Sequence, residues 1–205
     1  MDFSIMRHPG QFSEAISSKN VSEVAFQRAI IEGKESIIDG VVVKWIDIEL
    51  PVFGKKARGK CVDLIGVDSR GRYVICELKF LRNSSKGDRP EEASTQLFNY
   101  YQHIRNFYEQ FQLDNLHHSN SNGEIDWQNV ASYNTKLIVA ANKSYWDFWC
   151  GKRHYQKVVF DDSISYYQVN ISENEFFEQT IGKTRYMPVM PKSGKDWQNV
   201  REIYW

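Results

Sequence analysis

Three charged side chains interrupt the stretch "DLIGVDSRGRYVICELKF", residues 63–80, where charge is costly: Asp63, Glu77 and Lys79. Two apolar runs around a short turn predict a β-hairpin with strands over 61–67 and 73–80. Side chains alternate along a strand, so Glu77 and Lys79 share a face. A three-residue loop, Ser69-Arg70-Gly71, with Gly71 at its left-handed position, sets Asp68 opposite Arg72. That register puts Asp63 opposite Glu77 and Cys61 opposite Lys79. Opposed side chains lie about 5 Å apart, where two carboxylates repel. A divalent cation between them reverses the sign of that energy. The other residues of the face, Ile65, Val67, Tyr73 and Ile75, are apolar. The alternative is a solvated hairpin end with a Glu77–Lys79 contact, worth little at a surface.

The surrounding elements must hold this pair in place. Residues 1–19 read as an irregular arm. "NVSEVAFQRAIIE", from Asn20 to Glu32, predicts a helix with Asn20 as N-cap, Glu23 three residues on, and Gly33 as its stop. "GVVVKWIDIELPVF" (40–53) predicts a strand, followed by the basic turn "GKKARGK" (54–60). After the loop "RNSSKGDRP", a long helix is expected over about 89–111, with Asp88 as N-cap and Pro90 in its first turn. Residues 112–134 are polar and read as a loop insertion. "TKLIVAA" (135–141) and "SISYYQVNI" (163–171) predict strands, "SYWDFW" (144–149) a helical turn, and "ENEFFEQTI" a short helix in the tail. "DWQNV" occurs at 126–130 and again at 196–200 with unmatched flanks. The first three strands should form an antiparallel meander, and "TKLIVAA", after a helical crossover, can join in parallel.

The bulk composition narrows the class. A chain of 205 residues suits one domain, here 1–205 with a core over about 20–171, an insertion at 112–134 and an extension at 172–205. Hydrophobic residues make up 41% and charged residues 25%, ordinary globular values. Lys+Arg and Asp+Glu are both 26, so no global field draws the chain to nucleic acid or membrane, and any such binding needs a local patch. Three cysteines without a CxxC pair argue against a disulfide framework or a structural zinc site. The N-terminus lacks the apolar run of a signal peptide, and no stretch reaches the roughly 18 apolar residues of a membrane span. The expectation is a soluble, cytoplasmic protein that makes no membrane contact.

Asp63 followed on the next strand by Glu77-Leu78-Lys79 resembles the PD-(D/E)xK nuclease superfamily. Gln96-Leu97-Phe98-Asn99-Tyr100 in the long helix resembles the QxxxY motif of its RecB-like branch, and Gln96 and Tyr100 share a helix face. Glu23 matches the family's extra acidic residue, with Glu32 in reserve. The resemblance covers about residues 20–141. Val62 stands where the name-giving proline would be. The resemblance implies an α/β (α+β), restriction-endonuclease-like fold: a mixed β-sheet core in α-β-β-β-α-β order with helices on both faces. It implies a Mg²⁺-dependent nuclease, with Mn²⁺ as substitute, acting on DNA. Asp63, Glu77, Glu23 and the Leu78 carbonyl would hold the metal, Lys79 would assist the water, and Gln96 and Tyr100 would brace the site or touch the DNA backbone.

Hydrolysis of a phosphodiester needs metal polarisation, an activated water and stabilisation of developing charge. Asp63 and Glu77 supply the hard oxygens that Mg²⁺ favours. Lys55, Lys56, Arg58 and Lys60 are candidate phosphate contacts, or an ordinary solvated turn. Glu23 serves equally as a capping residue, and Gln96 and Tyr100 as helix–sheet packing. His103 lies on the Gln96 face and reads as a helix packing histidine. His117 and His118 are adjacent and ill placed for one zinc ion. Tyr145, Trp146, Phe148 and Trp149 read as core, with base stacking as the alternative. The terminal "REIYW" offers a dimer contact. Two other functions stay open: a non-catalytic nucleic-acid-binding or interaction protein on the same fold, working in a homodimer or larger assembly, and a nuclease of RNA.

Overall fold

In the computed structural model the described residues are 23–54, 60–81, 88–118, 121–151, 159–171, 177–179 and 186–205. The elements are α1 (Glu23–Gly33), β1 (Glu35–Ile38), β2 (Val41–Leu50), β3 (Val62–Asp68), β4 (Tyr73–Lys79), α2 (Pro90–Leu113), α3 (Trp127–Val130), β5 (Lys136–Asn142), α4 (Lys143–Cys150), β6 (Ile164–Val169), β7 (Phe177–Gln179), β8 (Tyr186–Pro188), β9 (Asp196–Asn199) and α5 (Val200–Tyr204).

The strands close into a barrel in the order β1-β2-β3-β4-β5-β6-β9, and β7 and β8 form a separate two-stranded sheet. This overturns the expected open, restriction-endonuclease-like sheet with helices on both faces. The expected meander is present, since β2–β3 and β3–β4 are antiparallel, and β5 does pair in parallel with β4. What the pattern did not announce is closure. β9 joins β6 antiparallel and β1 parallel, tying the two edges of the sheet together. An open edge leaves a row of unpaired backbone groups, and closure removes it. Both closing strands are only 4 residues long, too short for a clear alternation.

Side chains sort accordingly. Ile38, Trp45, Leu64, Val74, Ile138, Tyr167 and Trp197, one from each barrel strand, meet in a single buried cluster. Convergence of every strand on one cluster marks the barrel interior, and Phe26 and Ile30 of α1 complete it. The rings of Trp45 and Trp197 stack across it at 5.4 Å. Trp45 lies over Gly66, where a Cβ would stand 2.8 Å from its ring and 2.7 Å from the Lys44 carbonyl, so glycine makes room for the tryptophan. The alternate residues Ile65, Ile75 and Val139 face outward and are covered by Leu97, Tyr100 and Ile104 of α2, with α3 and α4 alongside.

Local expectations fared unevenly. α1 ends at Gly33 as expected, followed by Lys34 in the left-handed region at φ 61, while Asn20 lies outside the described residues. Arg89, not Asp88, caps α2, and its N–H donates to Glu92 at 2.9 Å. Residues 112–134 are more than a polar loop: Leu116, Ile125, Trp127 and Val130 are buried in the α2 cluster. His118 anchors this segment, donating its backbone N–H to buried Asp47 at 2.7 Å with its ring nitrogen 2.8 Å from the same carboxylate. Phe177–Gln179, expected as helix, is strand. All three cysteines are free. No described helix is long and apolar enough to cross a membrane.

Candidate functional site

Register decides what the hairpin can do. β3 and β4 pair from Val67↔Tyr73 to Leu64↔Cys76, the register in which Asp63 stands across from Glu77. The turn is the expected three-residue loop, with Gly71 at φ 79 and the Asp68 N–H donating to the Arg72 carbonyl at 2.8 Å. Past Leu64↔Cys76 the ladder gives way: the Leu78 N–H donates to Asp63 Oδ2 at 2.7 Å. A carboxylate thus replaces a backbone acceptor where the two strands part.

Around this fork the first turns of α1, the start of α2 and the strand ends converge. Gln27 of α1 donates its Nε2 to Asp63 Oδ1 at 2.7 Å. Glu77 is 1% exposed. Its Oε1 accepts from Lys79 Nζ at 2.7 Å, and its Oε2 is buried with no hydrogen-bond partner. The Gln27 Oε1 is also buried and unpartnered. Lys79 Nζ lies 3.4 Å from Asp88 Oδ2 as well. Glu23 sits close enough for its charge to act on both Lys79 and Glu77.

The electrostatics are those of crowded acids. Burial, and then the Glu77 charge, push Asp63 well above the usual carboxylate range, although the Leu78 N–H pulls the other way. Burial lifts Glu77 to about 7 against the attraction of Lys79. Burial also raises Glu23. Burial works to lower Lys79, but the charge of Glu77 outweighs it and keeps the ammonium protonated. Four carboxylates, Glu23, Asp63, Glu77 and Asp88, face one amine. Asp88 is largely exposed, and the three buried acids are relieved either by taking up a proton, the direction in which all are pushed, or by a cation.

Asp63 and Glu77 fit a divalent cation by donor type: both offer hard oxygens, and Glu77 Oε2 has no donor on it unless a proton is shared with Asp63. Among the described residues no group of three or more His, Cys, Asp or Glu is arranged to hold a metal. As they stand, the carboxylates are engaged by Gln27, Leu78 and Lys79, and Leu78 enters the cluster through its N–H.

The remaining sequence candidates divide. Gln96 donates its Nε2 to the Tyr100 hydroxyl at 2.8 Å. Tyr100 is pushed up to about 12 by burial and the Glu77 charge, so it borders the cluster. Lys60 is exposed beside a cleft of about 570 Å³ that Gln96 and Tyr100 also line. Lys55, Lys56 and Arg58 lie outside the described residues. Glu32 is exposed at the far end of α1 from the cluster. His103 packs against Phe53 at 4.2 Å and Phe107 at 4.5 Å. Tyr145, Trp146 and Trp149 are core residues. In the terminal segment the Tyr204 hydroxyl donates to Asp147 at 2.7 Å, while Trp205 is 70% exposed.

Two participants go beyond the sequence candidates. Gln27 follows Glu23 by four residues, which places both on one face of α1, and that spacing is the signal that could have found it. Asp88 reads in the sequence as a helix cap, yet its carboxylate faces Lys79. No protein-family model, curated protein or solved structure matches the chain.

Proposed function

We propose that the chain is a metal-dependent nuclease that hydrolyses phosphodiester bonds in DNA, acting in the cytoplasm. The observation that carries this reading is the pairing of two buried acids, Asp63 and Glu77, at the strand fork, with Lys79 bound to Glu77 and one Glu77 oxygen unpartnered. Such a site costs stability unless it does chemistry. The likeness of Asp63 and Glu77-Leu78-Lys79 to the PD-(D/E)xK pattern supports the same reading through the motif residues, independently of the barrel that carries them.

Asp63 and Glu77 would hold the ion, Glu23 would complete its surroundings, and the motif likeness adds the Leu78 carbonyl. Bound Mg²⁺ or Mn²⁺ supplies Lewis-acid polarisation of the phosphate. Gln27 holds Asp63 in its rotamer. Lys79, protonated and buried beside Glu77, donates to the attacking water and neutralises charge growing on the phosphate oxygens. The water oxygen forms a bond to phosphorus, the ester P–O bond breaks, and the departing oxygen takes a proton from solvent. The proton lost by the water passes to solvent.

The test is a cleavage assay on linear, circular, single-stranded and branched DNA, and on RNA, with Mg²⁺, Mn²⁺ or chelator. Cleavage that needs metal and vanishes in Lys79→Ala supports the reading. Metal-independent cleavage, or full activity in Lys79→Ala, overturns it. Binding without cleavage favours the non-catalytic alternative.

A further inference from the structure

Tyr100 belongs to two places at once. It feels the charge of Glu77 and Asp63, and it lines a cleft between α2 on one side and Phe53 and Lys60 on the other. One wall of that cleft is a polar stripe of α2, Thr95, Gln96 and Asn99, and the other is Phe53 and Lys60. Phe53 is held by packing, its ring 4.2 Å from His103 and 5.6 Å from Tyr100. Asn99 is exposed, and its carboxamide offers both donors and an acceptor. Gln96 spends its Nε2 on Tyr100 and keeps its oxygen for another partner. Glu91 and Glu92 lie at the same cleft, anchored by the N–H groups of Val159 at 3.0 Å and Arg89 at 2.9 Å.

These groups select a kind of ligand. Fixed carboxylates repel phosphate, so the cleft does not carry the backbone past Glu91 and Glu92. A fixed aromatic ring faced by carboxamides suits a flat, neutral group with hydrogen-bonding edges, and Lys60 offers one cation for an adjoining phosphate. A nucleobase has that shape and those edges, and stacking on a ring accepts any base. A base in a duplex is already paired and stacked, so it reaches such a cleft only when extruded.

We propose that the cleft receives an unpaired nucleobase beside the scissile phosphate, so that the substrate is a nucleic acid with a single-stranded segment at the cleavage point. This rests on the nuclease reading of the carboxylate cluster.

The experiment is a binding titration in chelator, where no metal-dependent cleavage occurs. The full chain is added to a single-stranded oligonucleotide carrying the fluorescent base 2-aminopurine, and to the same strand in a duplex. The expected result is a fluorescence change and at least about 10-fold tighter binding for the single strand, weakened about 10-fold by Phe53→Leu and less by Asn99→Ala. Phe53→Leu keeps most of the packing against His103, and Asn99→Ala alters an exposed side chain, so both variants should fold. Equal affinity for single strand and duplex, or unchanged binding in both variants, overturns the proposal. Metal-dependent cutting of duplex DNA without single-strand preference would remove the cleft assignment and leave the nuclease. Tight binding of an unpaired base without cleavage under any metal would do the reverse.

Discussion

Asp68 and Asp63 are buried aspartates five residues apart on β3, one at each end of the hairpin. Asp68 Oδ1 accepts from the N–H groups of Arg70 and Arg72, both at 2.9 Å, and its Oδ2 accepts from the Arg72 guanidinium at 3.1 Å. Burial acts to raise it, but these donors outweigh burial and hold it below the ordinary 3.8. Asp63 has two donors, yet burial and the opposed Glu77 drive it upward. The turn end is solved for folding: both oxygens of its carboxylate have donors. The open end is left unsolved by the fold, and Glu77 Oε2 is the remainder. On one strand, the same residue type builds structure in one place and holds a charge imbalance in another.

The largest expected effect breaks the two ends apart by activity. Lys79→Ala and Asp63→Ala should each lower metal-dependent cleavage by about 100- to 1000-fold or more, as should Glu77→Ala, while keeping the fold. Asp68→Asn should retain near-normal cleavage per folded molecule. Circular dichroism run beside a steady-state cleavage assay checks both.

Stability should separate them by sign. Asp68→Asn loses a charged acceptor shared by three donors and should destabilise by about 2 kcal/mol. Asp63→Asn should stabilise the metal-free protein by about 1 kcal/mol at alkaline pH, because there it removes a buried charge that repels ionised Glu77. Gln27 can turn its carboxamide so that Oε1 accepts from the amide this substitution introduces, while Leu78 keeps its acceptor. Denaturant unfolding in chelator measures both. A loss of stability in Asp63→Asn would sink the claim of net repulsion.

A smaller effect lies in pH. Glu77 titrates near 7 when folded and near 4.5 when unfolded, so the folded state binds more protons between these values. Metal-free stability should therefore fall as pH rises from about 4.5 to about 7, and Mg²⁺ should flatten that slope. Asp68 has the opposite sign: its contribution is lost as pH drops below about 3.8. Melting temperatures across pH, with and without Mg²⁺, resolve the two windows. Smallest of all, Gly71→Ala should cost about 1 kcal/mol at the turn, where φ is 79, without altering cleavage.

Much of the site was legible because it is local. Loop length and one left-handed glycine set the hairpin register, and period-two alternation set the face, so Asp63, Glu77 and Lys79 could be brought together on paper. Glu23 came from its likeness to the extra acidic residue of the PD-(D/E)xK pattern. Gln27 was missed because an amide carries no charge pattern to notice. Asp88 was missed because an aspartate just ahead of a helix also reads as a cap. The closed barrel was not legible, since it depends on pairings between Ile37 and Asp196 and between Tyr167 and Asn199, distant in the chain and two residues long at each seam.

"DWQNV" marks the boundary between the two kinds of knowledge. At 126–130 it is an N-capped helix: Asp126 accepts from the Asn129 N–H at 3.1 Å, and Trp127 packs edge-on to Phe111 at 5.0 Å. At 196–200 the same five residues form β9 and the start of α5, and Trp197 stacks on Trp45. Both tryptophans are buried and both donate Nε1 to a backbone carbonyl at 3.1 Å, Leu116 in one case and Gly194 in the other. Residue types and spacing alone determined that two acids would meet across a hairpin. Only the tertiary structure decided helix or strand, and open sheet or barrel, because five residues carry too little intrinsic preference to outweigh the apolar surface and backbone partners that distant segments offer them.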